Sequence, residues 1–214
     1  MKIVDLTHLM TEDMPVFPGD ESPAFETVTT HEEDGYMMTQ ITMWSHVGTH
    51  MDAPAHIIAG TATLDKLPVE QFVGTAVVID CYDLGEGDEI TMNYIDRVRD
   101  KADAAEFILF RTGWDKYWRT EQYYGEFPCI DDEVMQYLID GAKKGMGIDA
   151  LSPDPVESEE LPVHCGLLEN GIIIIENLAN LDFCGYDLFT LCALPLKYVD
   201  SDGAQARVIA IIEE

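Results

Sequence analysis

The sequence predicts a single α/β domain over residues 1–214, with a mixed sheet or two stacked sheets and peripheral helices. Three observations carry this. Strand-like segments recur from one end of the chain to the other, with helix-like segments too few for regular alternation of strand and helix. No linker rich in Pro, Gly or Ser divides the 214 residues, and no internal repeat or low-complexity tract is present. Finally, 47% of residues are hydrophobic and 25% charged, the composition of an ordinary globular protein with enough apolar surface for one sizeable core.

Taken in order, the strand-like segments are KIVDLT (2–7), FETVTT (25–30), MTQITMW (38–44), TAVVIDC (75–81), EFILFRT (106–112), MGIDAL (146–151), IIIIEN (172–177) and RVIAII (207–212). All but MGIDAL are rich in β-branched or aromatic residues. The clearest helix runs over 131–144: Asp131 or Asp132 is the N-cap, Val134, Tyr137 and Leu138 share a face, and Gly145 is the stop. A second covers 159–169 and ends at Asn170-Gly171. A third covers 92–99, introduced by Thr91.

Charge excludes whole classes of function. Twelve Lys+Arg stand against forty-one Asp+Glu, a formal net charge of −29. Such a surface repels phosphate backbones and anionic lipid, so neither nucleic acid nor a membrane surface is an expected partner. It attracts cations, although most of these carboxylates are simply solvated. No run of about 18 apolar residues supports a transmembrane helix, and acidic residues interrupt the N-terminal segment where a signal peptide needs an apolar stretch. The five cysteines (Cys81, Cys129, Cys165, Cys184, Cys192) are odd in number, widely spaced and free of Cys-x-x-Cys. They read as reduced thiols, and the expected compartment is the cytoplasm.

One segment stands out: His46-Val47-Gly48-Thr49-His50-Met51-Asp52-Ala53-Pro54-Ala55-His56. Three of six histidines fall within eleven residues, with an aspartate among them. His46, His50, Asp52 and His56 all occupy even positions, and an extended chain points alternate side chains to one face. Gly48 takes the intervening even position, where a missing side chain leaves room for a bound atom. Pro54 cannot donate to a ladder, which predicts a rim rather than a central strand. Imidazole nitrogen and carboxylate oxygen suit Zn²⁺ and Mn²⁺. A lone histidine is usually structural; four potential ligands on one face of one short segment favour a metal. Gly and Pro deny the segment a helix, so it is not the helical His-Glu-x-x-His of zinc proteases.

Further ligands must come from elsewhere, and His8, His31 and His164 are the remaining imidazoles. Glu176 closes the apolar run Ile172–Ile175, twelve residues after His164. A charge at the end of a buried strand needs a partner or a metal.

These residues resemble the signature of the metal-dependent cyclase-like hydrolases, whose best-known members are the bacterial kynurenine formamidases. His-x-Gly-Thr-His-x-Asp-x-Pro-x-His matches at every defined position from His46 to His56. Asp5-Leu6-Thr7 with Met14-Pro15-Val16-Phe17-Pro18-Gly19-Asp20 is similar to the family's opening, as are Arg111-Thr112-Gly113-Trp114, Gly147-Ile148-Asp149-Ala150 and the His164–Glu176 spacing. The resemblance implies a swivelling β/β/α (cyclase-like) fold and assembly as a homodimer or homotetramer. It implies a site for up to two Zn²⁺ per chain, or Mn²⁺: His46, His50 and Asp52 hold one ion, Asp52 and Glu176 bridge to a second, and His164 completes it. His56 is then the general acid/base. Phe17 stands where many relatives carry a Trp lining the aromatic pocket, and it keeps a stacking face for substrate.

The reaction implied is hydrolysis of a small aromatic amide or formamide, above all N-formyl-L-kynurenine to L-kynurenine and formate in tryptophan catabolism. An isatin-hydrolase-like opening of a cyclic amide, or action on another small amide or lactone, is the alternative within the same chemistry. A non-catalytic metal-binding module is the alternative of another class, and a spare imidazole at His56 argues against it. No Gly-x-Ser-x-Gly supports a serine hydrolase, and Cys165 beside His164 is a poor nucleophile pair because adjacent helical side chains diverge.

Overall fold

The computed structural model describes residues 1–213. Its centre is an eight-stranded mixed sheet that closes on itself. The strands are β1 (Lys2–Asp5), β4 (His50–Asp52), β5 (Val73–Asp80), β7 (Phe107–Arg111), β9 (Gly145–Ile148), β10 (Ile173–Glu176), β11 (Phe189–Pro195) and β12 (Gly203–Ile212), in the spatial order β1-β12-β11-β5-β7-β9-β10-β4. A further pairing of β12 with β4 seals the ring and leaves β1 as an appended strand on β12. The mixed sheet expected from the sequence is therefore present, as one sheet closed into a barrel rather than two stacked ones.

The four parallel strands β5, β7, β9 and β10 are almost wholly buried, because both of their faces are covered. Alternation sorts their side chains into two cores. Ile108 and Phe110 join Val77, Ile79, Met146 and Ile174 under the helices. Phe107 and Leu109 join Val78, Ile173, Ile175, Met51 and Val208 inside the ring. Outside lie α1 (Met92–Asp96), α2 (Arg99–Ala104), α3 (Asp132–Asp140) and α4 (Pro162–Glu169). A separate hairpin of β2 (Ala24–Thr29) and β3 (Met38–Thr42) and a small parallel pair of β6 (Glu89–Ile90) and β8 (Cys129–Ile130) complete the elements.

Several expectations are corrected. α3 is capped as foreseen, Asp131 accepting from Val134 N–H at 2.8 Å, worth about 1 kcal/mol. It stops at Gly141 rather than Gly145, since Gly145 already pairs in β9. The helix expected over 92–99 is two short helices, with Val98 at the break. The one expected from 159 starts at Pro162, whose fixed φ suits the first helical position. β11 was not foreseen; of its residues only Phe189 and Thr190 are aromatic or β-branched, and pairing with β5 and β12 supplies what local propensity does not. Among the described residues, no helix is long and apolar enough to cross a membrane.

Candidate metal centre

The motif segment does not run extended from end to end. His50–Asp52 alone forms β4; His46–Thr49 is a bend, and Pro54–His56 is a 3₁₀ turn. Nor is β4 a rim strand, because it pairs antiparallel with β10 on one side and β12 on the other before Pro54 ends it. The parity argument thus holds for His50 and Asp52, which flank the core residue Met51, and fails as the reason for His46 and His56. Those two arrive through the bend and the turn. Gly48 is required by its φ of +66° rather than by space for an atom, since a Cβ there would meet Met10 and Met14 at an ordinary 3.6 Å. The glycine that makes room is Gly203, opposite Asp52 in register: a Cβ there would lie 2.3 Å from His46 Cε1.

Register also delivers Glu176, which pairs with His50 across β10–β4. α4 brings His164 over both carboxylates. His46 Nδ1 lies 2.7 Å from Asp52 Oδ1. His50 Nε2 lies 3.4 Å from Asp52 Oδ1 and 3.2 Å from Glu176 Oε2. His164 Nε2 lies 3.6 Å from Asp52 Oδ2 and 3.2 Å from Glu176 Oε1. Three donor groups result: His46–His50–Asp52, Asp52–His164–Glu176, and His46–His56–Asp202, each with one ligand atom per residue within 4.8 Å of the others.

Asp52 and Glu176 are buried carboxylates, which water would ordinarily stabilise. Burial pushes Asp52 up, but His46, His164 and His50 outweigh it and hold the carboxyl well below its usual range. Burial likewise pushes the imidazoles down; hydrogen bonds and charge from Asp52 and Glu176 instead raise His50 to about 10. His164 rises to about 12 through Asp154, Asp52 and Glu176 against the same burial. The cluster therefore holds positive charge wherever it can. Its hydrogen bonding remains incomplete: His50 Nε2 and Asp52 Oδ2 are two of the four buried side-chain polar atoms without a hydrogen-bond partner among the described residues. The neighbouring oxygens at 3.2–3.4 Å from His50 Nε2 are close enough for charge attraction but misdirected for a hydrogen bond. Imidazole and carboxylate atoms that converge and favour positive charge in this way fit a divalent cation, which would take the place of the imidazole protons.

The cluster floors a cavity of about 370 Å³. Pro15, Val16, Phe17, Trp44, Leu151 and Leu161 form an apolar wall, and His56 lies among the polar lining. His56 stacks on His46 at 3.8 Å between centroids and stands 6.1 Å from His164. Burial, the largest influence, lowers its pKa, so the ring is neutral at pH 7. All seven sequence-chosen residues thus meet around one cavity. His8 and His31 do not: His8 stacks on Trp118 at 3.9 Å, burial lowering it to about 4, and His31 is exposed in the turn between β2 and β3. Two residues were missed. Asp154, between Pro153 and Pro155, accepts from His164 Nδ1 at 2.6 Å. Asp202, in an Asp-Gly turn, lies 3.0 Å from His46 Nε2. Pro153-Asp154-Pro155 reads as an ordinary loop in the sequence, and nothing separated Asp202 from an ordinary turn residue.

Comparison with known proteins identifies the family. The Cyclase family model matches residues 4–155. The kynurenine formamidase of Salinibacter ruber is 31% identical over 211 residues, covering 98% of this chain and 97% of its own. Isatin hydrolase A from Labrenzia aggregata, solved with benzyl benzoate, superposes with a TM-score of 0.89 at 29% identity, covering 100% of this chain and 94% of its own. A structure from Bacillus stearothermophilus, described as a predicted metal-dependent hydrolase, gives 0.79 at 32% identity, covering 98% and 97%.

Proposed function

The chain belongs to the Cyclase family, and from that premise we propose that it is a metal-dependent amide hydrolase acting on aromatic formamides, with N-formyl-L-kynurenine as the first substrate to try. The observation that carries this reading is the buried convergence of His46, His50, Asp52, His164 and Glu176, with two unpartnered polar atoms, beneath an aromatic wall. We assign His46, His50 and Asp52 to one divalent ion, and Asp52, His164 and Glu176 to a second. Zn²⁺ suits this donor set, and Mn²⁺ is the alternative. When bound, such ions supply a water that ionises near neutral pH and a Lewis acid for the carbonyl oxygen.

The chain's own residues do the rest. Phe17 and Trp44 offer flat apolar faces to an aryl ring. His56, neutral and at the cavity wall, takes a proton from the attacking water and returns it to the leaving arylamine nitrogen. Leu151 and Leu161 add apolar lining beside the charged cluster, which strengthens the charge interactions within it. A cyclic amide is the second reading, favoured by the 0.89 superposition on an isatin hydrolase.

The same proposal takes residues 1–214 as one domain, and the protein as a cytoplasmic homodimer or homotetramer. Five free thiols support a reducing compartment. Exposed Val28, Tyr36, Met37, Met38 and Ile41 along the β2–β3 hairpin support self-association. The test is elemental analysis of purified protein together with turnover of N-formyl-L-kynurenine, formanilide and isatin, with and without chelator. Chelator-sensitive turnover of one of these with bound Zn²⁺ or Mn²⁺ is expected; undiminished activity in metal-free protein overturns the reading.

A further inference from the structure

Behind His164 stands a carboxylate that touches neither the cavity nor the converging ligand atoms. Asp154 is fully buried, in the loop between β9 and α4. Its two oxygens are divided between two tasks. Oδ1 accepts the Val163 backbone N–H at 2.9 Å; Oδ2 accepts the His164 backbone N–H at 2.9 Å and the His164 ring Nδ1–H at 2.6 Å. The residue at the usual capping position, Leu161, has no side-chain oxygen and sits at φ +46°. A residue outside the helix therefore satisfies N–H groups that α4 leaves open.

We infer that Asp154 is the positioning residue of the Asp52–His164–Glu176 group, holding the His164 ring by its Nδ1–H so that Nε2 faces Asp52 and Glu176 and is the atom that would give its lone pair to an ion. This rests on the metal reading above. Because the acceptor that caps the helix also holds the ring, the ring cannot rotate without breaking a buried hydrogen bond. Carboxylates behind ligating histidines commonly set ring orientation and basicity, and their loss lowers metal affinity about 10–100-fold. The prediction is selective, because no polar contact links Asp154 to the His46–His50–Asp52 group.

Asp154→Asn tests it. An amide has one acceptor oxygen where three N–H groups converge; with its NH₂ towards the ring it would donate to Nδ1 and drive the proton onto Nε2. Asp154→Ser, which keeps a small capping oxygen but no charge, guards against failure to fold. Zn²⁺ binding to wild type and both variants would be measured by competition with a chromophoric chelator. The His164 Nδ1–H···Asp154 hydrogen bond would be read from the downfield shift of that ring proton in Zn²⁺-saturated protein, where Nε2 is the ligand atom. Wild type should bind two ions; each variant should hold one at wild-type affinity and the other about 10–100-fold more weakly, with the Nδ1–H signature lost. Two unchanged affinities, or equal weakening of both ions, would assign Asp154 to the helix alone and overturn the inference. Wild-type protein that takes up no Zn²⁺ overturns it differently, by removing the metal reading beneath it.

Discussion

Replacing His56 by alanine separates a proton carrier from a ligand. The ring is held by stacking on His46 at 3.8 Å and makes no hydrogen bond to another described residue, so its removal orphans no buried partner. It opens onto a cavity that already holds about 370 Å³, which water can fill. The fold and the five converging ligands should therefore survive. The expected loss is in kcat, by about 10²–10⁴, equivalent to roughly 2.7–5.4 kcal/mol of transition-state stabilisation. Burial lowers the pKa of His56, so its base form dominates above the usual histidine range and the acid limb of kcat/KM in wild type should lie below 6.5. That limb should vanish in His56→Ala. The assay is steady-state hydrolysis of formanilide and of 4-nitroformanilide across pH, beside metal content from the same preparations. The nitro compound, with the better leaving amine, should lose less. Parallel loss of metal and activity would refute the reasoning: His56 would then act with His46 and Asp202 as a ligand, and the proton would come from another group.

Phe17→Ala should raise KM for an aryl formamide by the equivalent of about 1–3 kcal/mol with metal content unchanged; unaltered kinetics would place Phe17 outside the substrate's path despite its position on the cavity wall. Gly203→Ala should weaken ion binding, because the new Cβ would lie 2.3 Å from His46 Cε1 and the ring must move; equilibrium Zn²⁺ titration reads this, and wild-type affinity would show the bend to be more yielding than the sheet register implies. Metal-free protein should lose thermal stability as pH rises. His50 and His164, raised to about 10 and about 12, contribute fully below their unfolded value of 6.5, and that contribution fades as pH climbs through the raised values. Asp52 acts in the opposite direction, its contribution fading as pH falls below 3.8. A melting temperature that stays level from pH 7 to 10 in chelated protein would contradict the ion-paired cluster.

Much of the site was legible in the chain because its ligands are local. The interval from His46 to His56 places four donor groups within eleven residues, and no fold is needed to see that chemistry. The apolar run before Glu176 announced a buried charge for the same reason: a carboxylate at the end of such a strand requires a counterpart. Strand-like runs from end to end likewise gave the α/β class. Ring closure was not legible. It depends on β12 pairing with β4 across about 150 residues of sequence, a register that apolar alternation cannot specify between distant strands. Only that register puts Gly203 beneath His46, and only the β10–β4 register puts Glu176 beside His50. The outer carboxylates escaped for a related reason. Asp154 and Asp202 look like loop and turn residues in the sequence, and each acquires its partner only when a distant segment arrives: α4 in the first case, the bend at His46 in the second. The residue types that hold charge were written locally; which of them face each other was decided by packing.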